Sequence, residues 1–451
     1  MKPSPLFYFT LYMGLIGGNW IVYHTALPIR IAHHIILTLF LVWWLLKRGL
    51  PDTPLLMPIA GLAFVLALSG VNAIDRRMAL EYGWHWLTNW LLFLYLIDAL
   101  RAGQGSTLFK AIFVGGALLA LSCILEWLAI GGRPAGLFGV INLTGGYLAA
   151  LMVPALGWAI ARPKYRKLLM GFMALSALAI VMNQSRGPAL SVLVALTAFG
   201  YLAIKEHPLL KIASGIATMG LCAIIVLGLS LEPQHSTGDV VRLDLWKAGE
   251  DMLMDYPSGV GGGLFAQAYH ERSRGDQWTG AHNYYITLGA ELGAPGLAAG
   301  TAFLLVMLYL IIPQSRTIQQ NAVLAGGLGI LAHMLGNNYP AQNWTFLVSL
   351  YGAYLVYEVR WLNAPLPGFI ARLLIYALFV YGLLFAIWDV AQIHYENGLR
   401  LQSAEEVQTA IALDPHNRLY KLEAAQLLNP AILLSSDYAL TNFARVYYRH
   451  G

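Results

Sequence analysis

Within one stretch, this chain combines side chains able to move a proton with side chains able to hold an anion. His282 heads the run His282-Asn283-Tyr284-Tyr285. An imidazole titrates close to the working pH, so it can take a proton from an attacking hydroxyl or orient that hydroxyl by hydrogen bonding. Asn283 and Tyr284 stand beside it as supporting groups. Glu291 follows at the end of a short helical pattern, where a carboxylate can orient a site or simply finish a helix. Arg186 and Arg242 form the candidate anion clamp: a guanidinium forks two phosphate oxygens, which lysine does less well. Such a pair would stabilise a leaving group whose negative charge grows during reaction. The plainer alternative for each arginine is a headgroup anchor or an ion pair, with Asp239 and Asp244 available to Arg242. Arg272 and Arg274, on either side of Ser273, are weaker candidates for the same anion. The run Gly259, Gly261, Gly262, Gly263 suggests a phosphate-cradling loop but lacks the following Lys-Ser/Thr, so a tight turn is expected. No His, Cys or carboxylate spacing matches a metal site, and the expected chemistry uses no metal and no cofactor.

The elements that must position these groups are set by composition. Of 451 residues, 58% are hydrophobic and only 11% charged, against about 25% charged in ordinary soluble domains. That excludes a water-soluble fold. The formal charge of +5 does not imply nucleic acid, because the basic residues sit in short loops between apolar runs. Cys123 and Cys222 lie inside apolar runs, where a thiol behaves as a small hydrophobe. A bilayer core needs about 20 mostly apolar residues per helix. On that scale thirteen runs qualify, nine before residue 232 and four after residue 293, so twelve to fourteen spans are expected. Placing the N-terminus in the cytoplasm assigns fourteen Lys/Arg to cytoplasmic loops, Lys47, Arg101, Lys110, Lys167 and Arg316 among them. Five, Arg30, Arg76, Arg77, Arg133 and Arg186, fall on the other side. That asymmetry is the positive-inside signature. The first apolar run lacks a small-residue cleavage site and reads as a retained span. Asp98 and Glu126 lie near span ends and need partners or water.

Two segments escape the bilayer pattern. Between the ninth and tenth runs, Val241, Leu245, Ala248, Met252 and Leu253 recur at helical spacing, predicting an amphipathic helix on the outer membrane face. Pro257 and the glycines end it, and a short helix is expected from His282 toward Glu291 before Gly293, Pro295 and Gly296 lead back into the bilayer. In the tail, Tyr395, Gly398, Leu399, Ala404, Ala410 and Ala412-Leu413-Asp414-Pro415 look like pieces of a tetratricopeptide unit. One such unit cannot bury its apolar face alone, so it should pack on the outer loop or on a partner. The expected fold is therefore all-α: a polytopic transmembrane bundle with a large, partly helical periplasmic loop and a helical C-terminal tail. Its parts are residues 1–231, spans one to nine; 232–293, the catalytic loop; 294–389, the last four spans; and 390–451, the tail.

The order Gln184-Ser185-Arg186-Gly187, then Arg242-Leu243-Asp244-Leu245-Trp246, Tyr256-Pro257 and Gly259-Val260-Gly261, then His282-Asn283-Tyr284-Tyr285 with Glu291-Leu292-Gly293 and Gly296, resembles the signature of the O-antigen ligase and polymerase superfamily. The resemblance implies an inverting glycosyltransferase of GT-C-type architecture in the bacterial inner membrane. Its donor would be a glycan on polyprenyl (undecaprenyl) pyrophosphate. Its acceptor would be lipid A core in a ligase, a growing glycan in a polymerase, or a protein hydroxyl in an O-oligosaccharyltransferase. The ligase is favoured because the chain has one dominant outer loop. On this reading His333, Asn337, Asn338, Tyr339 and Gln342, at the end of the eleventh run, could line a sugar-binding cleft. The competing class is a transporter of the lipid-linked glycan, but paired interrupted helices in two related halves are not evident.

Overall fold

A computed structural model describes residues 4–16, 27–203, 233–273, 280–312, 316–337, 342–360, 368–417 and 420–421. The described residues form helices and no strands. In chain order these are α1 (Pro5–Leu15), α2 (Leu27–Arg48), α3 (Leu56–Val71), α4 (Arg76–Arg101), α5 (Gly105–Ile130), α6 (Ile141–Ala161), α7 (Arg166–Asn183) and α8 (Arg186–Ala203). There follow α9 (Pro233–Asp255), α10 (Phe265–Ser273), α11 (Tyr284–Ile311), α12 (Ile318–His333), α13 (Gln342–Val356), α14 (Gly368–Leu401) and α15 (Ala404–Leu413). Seven helical stretches are long and apolar enough to cross a membrane: α2, α5, α6, Pro163–Asn183, α8, α11 and α14. Pro5–Leu15, Leu56–Val71 and Trp344–Val356 are apolar but shorter. The 26-residue α4 has the length but carries Arg76, Arg77, Glu81, Asp98 and Arg101. The chain is thus an all-helical membrane protein. The ninth expected run, 209–231, lies outside the described residues.

Helices suit this environment because hydrocarbon offers no partner to an open backbone group. Since lipid is as apolar as leucine, their association depends on close packing through small residues. The trio α6, α8 and α12 shows this. Gly157 of α6 lies against Ala322, and a Cβ on Gly329 of α12 would sit 2.6 Å from the Ser191 carbonyl of α8. Charged groups near the span ends are partnered. The Trp44 indole donates to Asp98 at 3.1 Å. Glu126 accepts the Ala135 and Gly136 N–H groups at 3.2 and 2.6 Å, closing the turn after α5. Arg101 donates to the carbonyls of Asp52, Tyr357 and Val359, gathering three chain segments at one end of the bundle.

At the opposite end sits a second, smaller core. The apolar face of α9 does not lie open on a membrane surface as the periodicity suggested. Leu245 and Met252 are fully buried with Ala79 of α4, Val260, Leu264, Phe265, Ala268, Tyr269, Ala281 and Ala290. Periodicity reports the apolar face but not its partners, which come from α4, from the 260–269 segment that includes the start of α10, and from Ala281 and Ala290. Each large side chain buried there is worth about 1.5–3 kcal/mol. The tail docks beside it. α14 runs unbroken through 389/390, where the tail was expected to begin, and α15 folds back on it with Tyr395, Val407, Ala410 and Tyr420 in a small core. Arg77 joins this pair to α4, donating to Asp414 at 3.0 Å and Glu81 at 2.6 Å while stacking over Trp388.

Candidate active site

The His282 segment is pinned from both sides. His282 itself has φ +50, a left-handed conformation uncommon for a residue with a side chain. The hydrogen bonds around it account for that geometry. Asn283 caps α11, its Oδ1 accepting the N–H groups of Tyr285 and Ile286 at 3.0 and 3.2 Å. The Ala281 N–H donates to Thr287 Oγ1 at 3.1 Å. Toward α12, the Tyr284 N–H donates to the Met334 carbonyl at 3.0 Å and the Tyr285 hydroxyl to the Leu331 carbonyl at 3.3 Å. The Asn283 side chain and the Tyr284 N–H therefore hold the backbone that follows His282. Burial, and then the positive charge of Arg242, hold the His282 pKa down at about 4. The ring is therefore neutral at pH 7.

Arg186 opens α8, directly after a turn that the sequence pattern only hinted at. Gln184 there is left-handed at φ +54. The buried Asn183 amide donates to the Pro134 and Ile141 carbonyls at 3.1 and 2.8 Å. Arg133 donates to the Asn183 carbonyl at 3.0 Å, and Ser185 to Asn142 at 2.6 Å. Gly187 then brings α8 against the last turn of α12, where a Cβ would meet the His333 ring at 2.5 Å and the Asn337 amide at 3.0 Å. The charge of Arg242 acts on both His282 and His333, so α9 brings its guanidinium to the junction of these two segments. Arg186, Arg242 and His282 thus stand on three segments that converge at one end of the bundle.

Glu291 has a different place. α11 is interrupted at Gly293, with φ +69 and ψ −169, which separates the short helix before it from the apolar span that begins at Ala294. Glu291 lies in the short part and is buried, and its carboxylate faces the glycine loop rather than open space. It accepts the Phe265 N–H at 3.4 Å, the Gly263 N–H and a hydrogen bond from Tyr82. Burial raises its pKa to about 7 despite these donors. The glycine run is the tight turn expected of it. Gly261 donates to the Glu291 carbonyl at 3.0 Å, Val260 to the Ala290 carbonyl at 3.0 Å, and Gly262 and Gly263 lie against Tyr82. Glu291 therefore anchors the loop between α9 and α10.

His333 and Asn337 do not line an open cleft. Both are buried, with Asn337 Nδ2 3.0 Å from His333 Nε2. Arg274, Asn338 and Tyr339 lie outside the described residues, and for Arg272 and Gln342 only the backbone is described. Sequence reasoning missed Arg133, Asn183 and Tyr82 as builders of the site.

Arg186, Arg242, His282 and Glu291 fall within a stretch that matches a known family. The family model described as O-antigen ligase matches residues 171–300, from within α7 to past the kink of α11. Over those residues the chain is similar to the O-antigen ligase family, and this match supports the resemblance to the O-antigen ligase and polymerase superfamily. The family is one of membrane glycosyltransferases with a lipid-linked glycan donor and a glycan acceptor in general. No curated protein matches the chain.

Proposed function

We propose that this protein is an inverting, metal-independent glycosyltransferase of the bacterial inner membrane that moves a glycan from polyprenyl (undecaprenyl) pyrophosphate to an acceptor hydroxyl at the periplasmic face, with lipid A core as the acceptor. The observation that carries the reading is the convergence of a neutral imidazole, His282, with the Arg242 guanidinium beside the Arg186 turn, inside the O-antigen ligase domain. The acceptor oxygen attacks the anomeric carbon on the face opposite the pyrophosphate. Its proton passes to His282, the bond from the anomeric carbon to the phosphate oxygen breaks, and the electron pair leaves with the pyrophosphate. Arg186 and Arg242 supply the positive charge that a divalent cation would otherwise bring to that leaving group. Donor binding also tunes the base. A pyrophosphate held by Arg242 offsets the charge that lowers the His282 pKa, so the imidazole becomes more basic once the donor is in place.

General-base assistance is worth about 10²- to 10⁴-fold. His282→Ala in proteoliposomes should lose transfer by that order while still binding the lipid-linked donor. A wild-type rate with saturating acceptor would sink the assignment. Offering lipid A core, free glycan and a pilin-like protein separately decides the acceptor, and product on the glycan or the protein alone would make the chain a polymerase or a protein O-oligosaccharyltransferase.

A further inference from the structure

His333 is the last residue of α12, some fifty positions from His282 and outside residues 171–300, yet it is built into the same junction. Only 2% of it is exposed. Its ring occupies a slot that exists because two neighbouring helices carry glycine there. A Cβ on Gly146 of α6 would overlap the ring, and one on Gly187 of α8 would stand 2.5 Å from Nε2. Asn337 Nδ2 lies 3.0 Å from Nε2, on the edge that faces Gly187, and Trp344 of α13 stands alongside with ring centroids 6.3 Å apart. The carbonyls on either side of it, Leu331 and Met334, take the hydrogen bonds from Tyr285 and Tyr284 that fix the His282 segment. Arg242 acts electrostatically on this imidazole as it does on His282. A ring used only as filling would not need to be polar. Burying an imidazole costs desolvation that a phenyl ring of similar size avoids.

We propose that His333 is a positioning residue for the transfer reaction: seated between Gly146 and Gly187 and held by Asn337, its imidazole sets where the Arg186 turn and Arg242 stand relative to His282. This rests on the reading of the chain as a lipid-pyrophosphate-dependent transferase. His333 acts through the arginines, so its loss weakens donor binding more than turnover.

The test compares His333→Phe, which keeps a flat ring without nitrogen, with His333→Gln, which keeps a polar end at similar reach. Each is purified, checked for monodispersity and melting temperature, and reconstituted with the glycan-bearing donor. His333→Phe should raise the donor KM about tenfold and change kcat by less than about threefold, and His333→Gln should recover most of that affinity. In an Arg242→Lys background, His333→Phe should add less than about twofold, because the two changes act on one unit. Equal losses in the Phe and Gln variants, full additivity with Arg242→Lys, or wild-type kinetics in His333→Phe would each overturn the assignment. Should His333→Phe not fold, Asn337→Leu removes the bond that holds the ring and is expected to give the same rise in KM; unchanged donor KM there also overturns it. Binding of polyprenyl pyrophosphate without glycan is measured in parallel. Wild-type protein that binds this lipid but makes no product overturns the proposed reaction, while the binding of the His333 variants still decides the inference. Wild-type protein that does not bind it overturns both.

Discussion

At the scale of single residues, the proposed base is a histidine that burial, and then the charge of Arg242, keep neutral at pH 7. An imidazole with a pKa near 4 is a weaker base than a free one, but all of it is in the accepting form at pH 7. The linkage has a definite sign. The folded pKa lies below the ordinary 6.5, so the stability His282 contributes is fully present above about pH 6.5 and is lost as pH falls through about 4. The acid limb of kcat/KM, which reports the free enzyme, should accordingly lie near pH 4. Arg242→Gln removes the nearby positive charge but leaves the burial, so the limb should move upward and stop short of 6.5. Initial rates between pH 4 and 8 on both proteins check this, and an unmoved limb would mean that Arg242 does not govern the base. His282 was legible in the sequence because it heads a run of polar side chains just before an apolar span. His333 was legible only as one of several polar residues near a span end. Nothing in its own neighbourhood reports that the glycines which seat it lie in α6 and α8, far away in the chain.

At the scale of elements, the loop is held to the bundle by backbone contacts that only glycine permits. Gly293 and Gly259 each pack against the backbone next to the other: a Cβ on Gly259 would fall on the Glu291 carbonyl, and one on Gly293 on the Pro257 carbonyl. The Ala294 N–H then donates to that same Pro257 carbonyl at 3.0 Å. The φ and ψ of Gly293 lie in a region essentially reserved for glycine, where other residues cost about 1–3 kcal/mol before any clash. Gly293→Ala should therefore lower the melting temperature strongly and abolish transfer together, since it drives the short helix away from the glycine loop. Gly171→Ala, where a Cβ meets nothing within 4 Å, is the matched control and should change neither. Thermal unfolding and transfer on the two variants decide it, and a stable, active Gly293→Ala protein would show that the kink is not what joins loop to span. The kink itself could be read from Gly293, Pro295 and Gly296. The partners of α9 could not. A period of apolar residues shows that a helix has a buried face but not what covers it, and here the cover comes from α4, α10 and the start of α11.

At the scale of the whole molecule, the bonds sort helix ends into two groups. Arg101 gathers the segments at Asp52, Tyr357 and Val359 at one end. The start of α4 gathers the loop, through Tyr82 and Ala79, and the tail, through Arg77 and Asp414, at the other. Arg133 and Arg186 meet at that second end, where the α7–α8 turn is built. Lys/Arg excess marks the side that stays in the cytoplasm, because cationic loops are translocated poorly. On the proposed topology the first group faces the cytoplasm, and the loop, the site and the tail face the periplasm. Reporters fused after Lys110, after Lys167 and after Arg316 should read as cytoplasmic. A cysteine placed at the exposed Asp251 of α9, in a background lacking Cys123 and Cys222, should react with a membrane-impermeant thiol reagent in intact spheroplasts. The proposed reaction needs its donor and its lipid A acceptor on the outer side. Asp251→Cys labelling that required broken membranes would place His282 and Arg242 where no such acceptor reaches, and would remove the proposed reaction even if every contact within the site were correct.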